Sequence, residues 1–113
     1  MKNMLFDKFS KLISEKNIAG LDDRILLDKE GALSVFYTPF DHVNIKAKIV
    51  LVGITPGPTQ MNNAMKIAHS YLSSGATNEE AQVAAKMSAA FSGEPMRGNL
   101  IKQLNDWAYT NGS

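Results

Sequence analysis

The chain has no cysteine, which excludes disulfide scaffolding, thiol catalysis and cysteine-ligated zinc or iron–sulfur sites. Its two histidines, His42 and His69, are too few for a transition-metal site built from protein ligands alone, so no metal and no cofactor is expected. It also lacks a long apolar run. The longest, Ile49-Val50-Leu51-Val52-Gly53-Ile54, falls far short of the roughly 20 residues that span a bilayer. Asp7, Lys8 and Lys11 interrupt the first residues, where a signal peptide would need a continuous apolar stretch. These absences predict a soluble, cytoplasmic protein with no membrane partner. Charge of one sign is missing as well: 12 basic residues face 11 acidic ones, for a net charge of +1. That excludes a strongly basic nucleic-acid coat and an acidic tail, and leaves room for a local basic site. Neither the Lys-Ser/Thr of a Walker loop nor a G-x-G-x-x-G fingerprint is present, which argues against general nucleotide hydrolysis and dinucleotide binding. No internal repeat or low-complexity tract is visible.

What is present suits one domain spanning 1–113. At 113 residues, 44% apolar and 20% charged, the chain can bury a modest core. Leu5, Phe9, Leu12 and Ile13 fall on one helical face and predict a helix over about Asn3 to Lys16. Ile25-Leu26-Leu27-Asp28 and Ala32 to Tyr37 flank Lys29-Glu30-Gly31, the pattern of an antiparallel hairpin ended by Pro39. Lys48 to Ile54 differs from both. Its apolar residues are continuous and rich in β-branched types, as in a parallel strand covered on both faces. Met61, Ala64, Met65, Ala68 and Leu72 then mark a helix closed by Gly75. Thr77-Asn78-Glu79-Glu80 matches a capping box ahead of a helix carrying Ala81, Ala84, Ala85, Ser88 and Phe91. Leu100, Ile101, Leu104 and Trp107 mark a last helix from about Arg97, with Trp107 expected to anchor it in a core. Only one candidate parallel strand is found, so the chain reads either as a small α+β unit or as the first part of a larger α/β domain.

The segment best placed for chemistry is Gly53-Ile54-Thr55-Pro56-Gly57-Pro58-Thr59, between the expected strand and the following helix. Open α/β sheets place ligands at the carboxyl ends of such strands. Glycine lets backbone N–H groups approach a ligand, and the helix N-terminus adds partial positive charge. No Asp or Glu lies between His42 and Asn78, while Lys46, Lys48 and Lys66 do. The competing reading is a rigid turn with no ligand. Elsewhere, His69 reads as a partly buried structural residue, Asp22-Asp23 as caps of a turn, and Arg97-Gly98-Asn99 as a helix start.

Ala47 to Pro58 resembles the first motif of the uracil-DNA glycosylase superfamily, in which a buried strand ends in Gly-x-x-Pro-Gly or a close variant. The likeness is closest to its single-strand-selective and mismatch-specific branches. It implies the N-terminal part of a three-layer α/β/α sandwich: an N-terminal helix, a β-hairpin, one buried parallel strand and three following helices, incomplete at the carboxyl end. It implies DNA as partner, with recognition or excision of a damaged base by a full-length protein. Gly53, Ile54, Pro56, Gly57, Pro58 and Thr59 would lie beside the flipped-out base. Thr55 would stand where the family carries an Asp or Asn that positions the attacking water. A hydroxyl can hold a water but is no carboxylate base, and the family's later Asn and His have no counterpart after Trp107, so this chain alone is expected not to excise. The alternatives are a non-enzymatic interaction protein that keeps the scaffold and a small-nucleotide-binding protein. An unpaired strand edge would further make the chain a homo-oligomer.

Overall fold

The protein is described here from a computed structural model, over residues 4–111. Its architecture is mixed α/β. The described residues form four helices, α1 (Met4–Glu15), α2 (Pro58–Ser73), α3 (Asn78–Ala89) and α4 (Met96–Thr110), and one antiparallel hairpin, β1 (Leu26–Glu30) with β2 (Leu33–Phe36). Asn3, where the sequence pattern starts the first helix, lies outside the described residues.

The face that α1 buries is Phe6, Phe9 and Ile13, with Leu12 beside it. Leu5, expected on that face, is exposed and Phe6 is buried instead: helical spacing places either beside Phe9, and the neighbours packed on α1 decide between them. Asp41 accepts hydrogen bonds from the Phe6 backbone N–H (3.0 Å) and the Tyr37 hydroxyl (2.9 Å). One carboxylate thus satisfies a free amide of the first helical turn and ties the hairpin exit to α1. The Tyr37 ring stacks on Phe9 with centroids 4.7 Å apart. Burial, and then the Asp41 carboxylate, push the Tyr37 hydroxyl well above the usual tyrosine range.

The hairpin turns at Gly31-Ala32, with Glu30 opposite Leu33. Gly31 has φ +59°, the left-handed backbone that the first position of a two-residue hairpin turn requires. A register shift between Leu26 and Asp28 bends β1 at its start. The strands themselves are largely exposed; the hairpin is fastened by Ile25 and Tyr37, both buried and joined by a 2.8 Å bond from the Tyr37 N–H to the Ile25 carbonyl.

α2 and α3 make the most extensive contact in the molecule. Met61, Ala64, Met65 and Ala68 are buried on α2, as the spacing predicts. On α3 the buried face is Ala81, Gln82, Ala85 and Ala89, whereas Ser88 is exposed. Alanines facing one another let two helix backbones come close. The α2 end is a Schellman motif: Ala76 N–H bonds to the Tyr71 carbonyl (3.0 Å) and Gly75 N–H to that of Leu72 (3.1 Å). The capping box at Thr77 and Glu80 is formed. His69 is a joint between α1 and α2, its Nδ1 donating to the Ile13 carbonyl at 2.6 Å.

The rest of the chain departs from expectation. Lys48 to Ile54, expected as a strand covered on both faces, pairs with no strand here, and its side chains are exposed: Val52 at 89% and Ile54 at 103% of full accessibility. The physical reason is a lack of neighbours. The hairpin strands pair only with each other, and the described residues place no sheet and no pair of helix layers around 48–54. α4 buries no residue at all, and Trp107, expected to anchor it, is 54% exposed. The accessible surface is 8256 Å², against about 6100 Å² for a compact monomer of this mass. The radius of gyration is 15.6 Å, where a closed domain of this length would have about 13 Å.

Candidate functional site

Where the 48–56 strip meets the packed body, a cleft of about 420 Å³ opens, inside the size range of small-molecule sites. Gly53, Ile54, Thr55, Pro56 and Gly57 line one side. Leu51 from the strip, Phe40 from the hairpin exit, Gln60 from α2, Lys86 and Ala90 from the α3 end, then Phe91 and Met96 line the remainder. Pro58 and Thr59 are not among the lining residues. Pro58 is the first residue of α2, a position where its missing N–H costs nothing. Thr59 packs outward against the next turn, its methyl so near Gly93 that a Cβ there would lie 3.2 Å away.

Phe91 has φ +55°, an unusual backbone for a bulky residue, and it follows directly on the α3 end. Its ring lies beside the loop: a Cβ built on Gly53 would be 4.0 Å from it, and both line the cleft. Gln60 braces the other end. Its Oε1 accepts from Gly57 N–H at 3.0 Å, and its Nε2 donates to the Ser92 carbonyl. Asn63 Nδ2 donates to Ser92 Oγ at 3.0 Å. The first turns of α2 and the 91–93 turn are thereby held together.

These bonds alter the anion cradle expected of the loop. Pro56 and Pro58 have no N–H, and the Gly57 N–H is already used by Gln60. The cleft-lining residues with polar side chains are Thr55, Gln60, whose amide is engaged by Gly57 and Ser92, and Lys86, which donates to the His42 carbonyl; the backbone N–H groups of Gly53, Ile54 and Thr55 make no hydrogen bond among the described residues. No carboxylate lines the cleft. Such a site offers flat apolar walls, a cation and a few directional donors, and no general base at the Thr55 place. Among the described residues, no group of three or more acidic, His or Cys side chains could hold a metal ion.

The other residues weighed from sequence lie elsewhere. Asp22 caps a single 3-10 turn at Asp23–Ile25 and pairs with Arg24 at 2.6 Å, which holds its carboxyl down at about 2. At the start of α4, Gly98 N–H bonds to Glu94 Oε2 at 3.1 Å, so Arg97-Gly98-Asn99 belongs to a helix start. Phe40, Gln60, Lys86 and Phe91 were missed by motif reading. Gln60, three residues after Gly57, carried a usable signal, since a Glu or Gln at that offset commonly reaches back to the cap.

Over 86 residues, 75% of its length, the chain is 41% identical to the uncharacterized protein YoxB of Bacillus subtilis (strain 168). It spans 33% of the length of that curated relative. No protein-family model matches the chain, and no solved structure matches it. Three quarters of a 113-residue chain, placed anywhere along it, takes in residues 48–60, so the match includes the loop. Among the described residues, no helix is long and apolar enough to cross a membrane.

Proposed function

We propose that this chain is the base-binding part of a uracil-DNA glycosylase-like protein, and that the cleft at Gly53 to Gly57 receives a damaged base turned out of DNA. The observation that carries the reading is that the glycine–proline loop, Phe40 and Phe91 line one cleft of about 420 Å³, a size that admits a nucleobase. Flipped bases are held between apolar or aromatic walls and read at their edges by hydrogen bonds. Phe40 and Phe91 are the walls in this reading, and Gln60, Lys86 and Thr55 the edge-reading groups. Thr55 holds a water without activating it, so the chain recognises a base and does not excise it. In the three-layer sandwich that this reading entails, Lys48 to Ile54 is the buried parallel strand and further polypeptide supplies its neighbours.

The test is binding of single-stranded DNA carrying one uracil, compared with the same strand carrying thymine or an abasic site. Tighter binding of the uracil strand is expected, lost in Phe91→Ala, with no strand breaks after alkali. Equal affinity for all three strands would sink base recognition. Breaks above a no-protein control, abolished by Thr55→Ala, would overturn the reading of Thr55.

A second reading, an interaction protein that keeps the scaffold without binding a base, is favoured by one observation: the apolar residues 49–54 face solvent.

A further inference from the structure

We infer that the cleft holds a phosphate as well as a base, with the Lys86 ammonium and the free amides of Gly53 to Thr55 as its anion site. The ligand is then a nucleotide. This site extends the base-binding reading above from the base to its phosphate and rests on it.

Lys86 is the unmatched charge of the cleft. It stands in the last turn of α3, is partly buried, and lines the cavity. Its Nζ donates to the His42 carbonyl, a neutral acceptor. Among the described residues the only ion pair is that of Arg24 with Asp22, and no carboxylate lines the cleft. Drawing an ammonium out of water is costly until an opposite charge meets it. The ammonium has three N–H donors, of which one is spent on His42. A uracil edge can accept another, but it is neutral and leaves the charge unmatched.

The loop supplies the second half of the site. The N–H groups of Gly53, Ile54 and Thr55 make no hydrogen bond among the described residues, and these three residues line the same cleft as Lys86. Consecutive free amides near a cation suit an anion with several oxygens, because backbone N–H groups form strong bonds to oxyanions. No Asp or Glu lies between His42 and Asn78, so this part of the chain adds no repelling charge. At about 420 Å³ the cleft is of a size that takes a whole small ligand. A flat ring for Phe40 and Phe91, joined to an anion of several oxygens for Lys86, describes a nucleotide. Its phosphate can belong to a DNA strand or to a free mononucleotide.

Calorimetric titration with deoxyuridine, deoxyuridine monophosphate and the single-uracil strand tests the site. The monophosphate is expected to bind about tenfold or more tighter than the nucleoside, the usual scale of a hydrogen bond to a charged group. Lys86→Gln, which keeps a donor for the His42 carbonyl, should erase that advantage, and Lys86→Arg should keep most of it. On the strand, Lys86→Gln should weaken uracil and thymine versions alike and lower the slope of log affinity against log salt by about 1. A monophosphate displaced by the strand places a DNA phosphate in the site. A chain that takes the monophosphate and ignores the strand assigns the site to a free nucleotide. Both outcomes support Lys86 as the anion contact. Equal affinity for nucleoside and monophosphate, a full phosphate advantage in Lys86→Gln, or no binding of any of the three ligands would overturn the phosphate site. Should Lys86→Gln not fold, acetylation of lysines in the unaltered chain decides: the monophosphate should slow modification of Lys86 and deoxyuridine should not, and equal rates would overturn the site. Base recognition fails by a different sign, equal binding of uracil and thymine strands, a ratio that Lys86→Gln leaves unchanged.

Discussion

The packed body formed by α1, the hairpin, α2 and α3 and the strip of 43–56 with α4 use the same kinds of apolar residue, and they end in opposite environments. Phe6, Ile13, Ile25 and Met65 are fully buried, while Ile45, Val52, Ile54 and Trp107 stand in solvent. Composition does not separate them; neighbours do. In the body, each apolar face meets another within reach of short connections: α1 lies against α2, α2 against α3, and Asp41 pins the hairpin exit to the start of α1. The strip meets the cleft through Leu51, Gly53 and its loop. An apolar run with strand character cannot bury itself; it needs other strands beside it and layers above and below.

The largest expected effect contrasts one residue from each region. Phe6→Ala should cost roughly 3–5 kcal/mol, since it removes a fully buried ring and leaves a cavity. Val52→Asp, at a side chain 89% exposed, should move stability by no more than about 0.5 kcal/mol. Urea denaturation of both variants reads the difference. A large loss from Val52→Asp would mean that the strip is packed in solution and the contrast false.

The body should next fail at its polar pin. Asp41→Ala leaves the Tyr37 hydroxyl buried without its acceptor and the Phe6 amide without its cap. A loss of about 1–3 kcal/mol is expected, with Asp41→Asn less damaging because its carbonyl can still accept one of the two bonds. The raised Tyr37 pKa adds a sign. Above the ordinary value of 10.0 the unfolded chain releases a proton that the folded chain keeps, so stability falls as pH rises into alkali. A midpoint insensitive to Asp41→Ala would remove the pin from the account.

A smaller loss, about 1 kcal/mol, is expected from Thr77→Ala, which removes the oxygen accepting the Glu80 amide at 3.1 Å. Helical circular dichroism through thermal unfolding checks it. The smallest effect belongs to Asp22. Its carboxyl, held at about 2 by Arg24, stabilises the fold fully above its ordinary 3.8, and this contribution disappears as pH falls through about 2. Asp22→Asn should flatten that acid limb of the urea midpoint; an unchanged limb would show that the pair contributes nothing.

Legibility from sequence followed the same division. The capping box at Thr77, the Schellman end at Gly75, the hairpin at Gly31 and the α2 face from Met61 to Ala68 rest on contacts within a few residues, and all are present. The Leu5 and Ser88 assignments failed because helical spacing ranks faces without saying which neighbour arrives. In the candidate site, motif reading reached Gly53 to Gly57. The aromatic wall was not legible, because Phe91 arrives from the end of α3 by a left-handed turn at a residue that does not usually adopt one.

The sequence by itself determined the local elements and their polarity: helices with alanine-rich faces, a glycine-turned hairpin, a strand-like apolar run, and a glycine–proline loop without acid. Only the tertiary structure decided which apolar faces find cover, and that Gln60, Lys86 and Phe91 converge on the loop. The reason is physical. Caps, turns and periodicity are fixed by interactions across a few residues, whereas burial of 48–54 depends on whether other strands and helices are there to meet it.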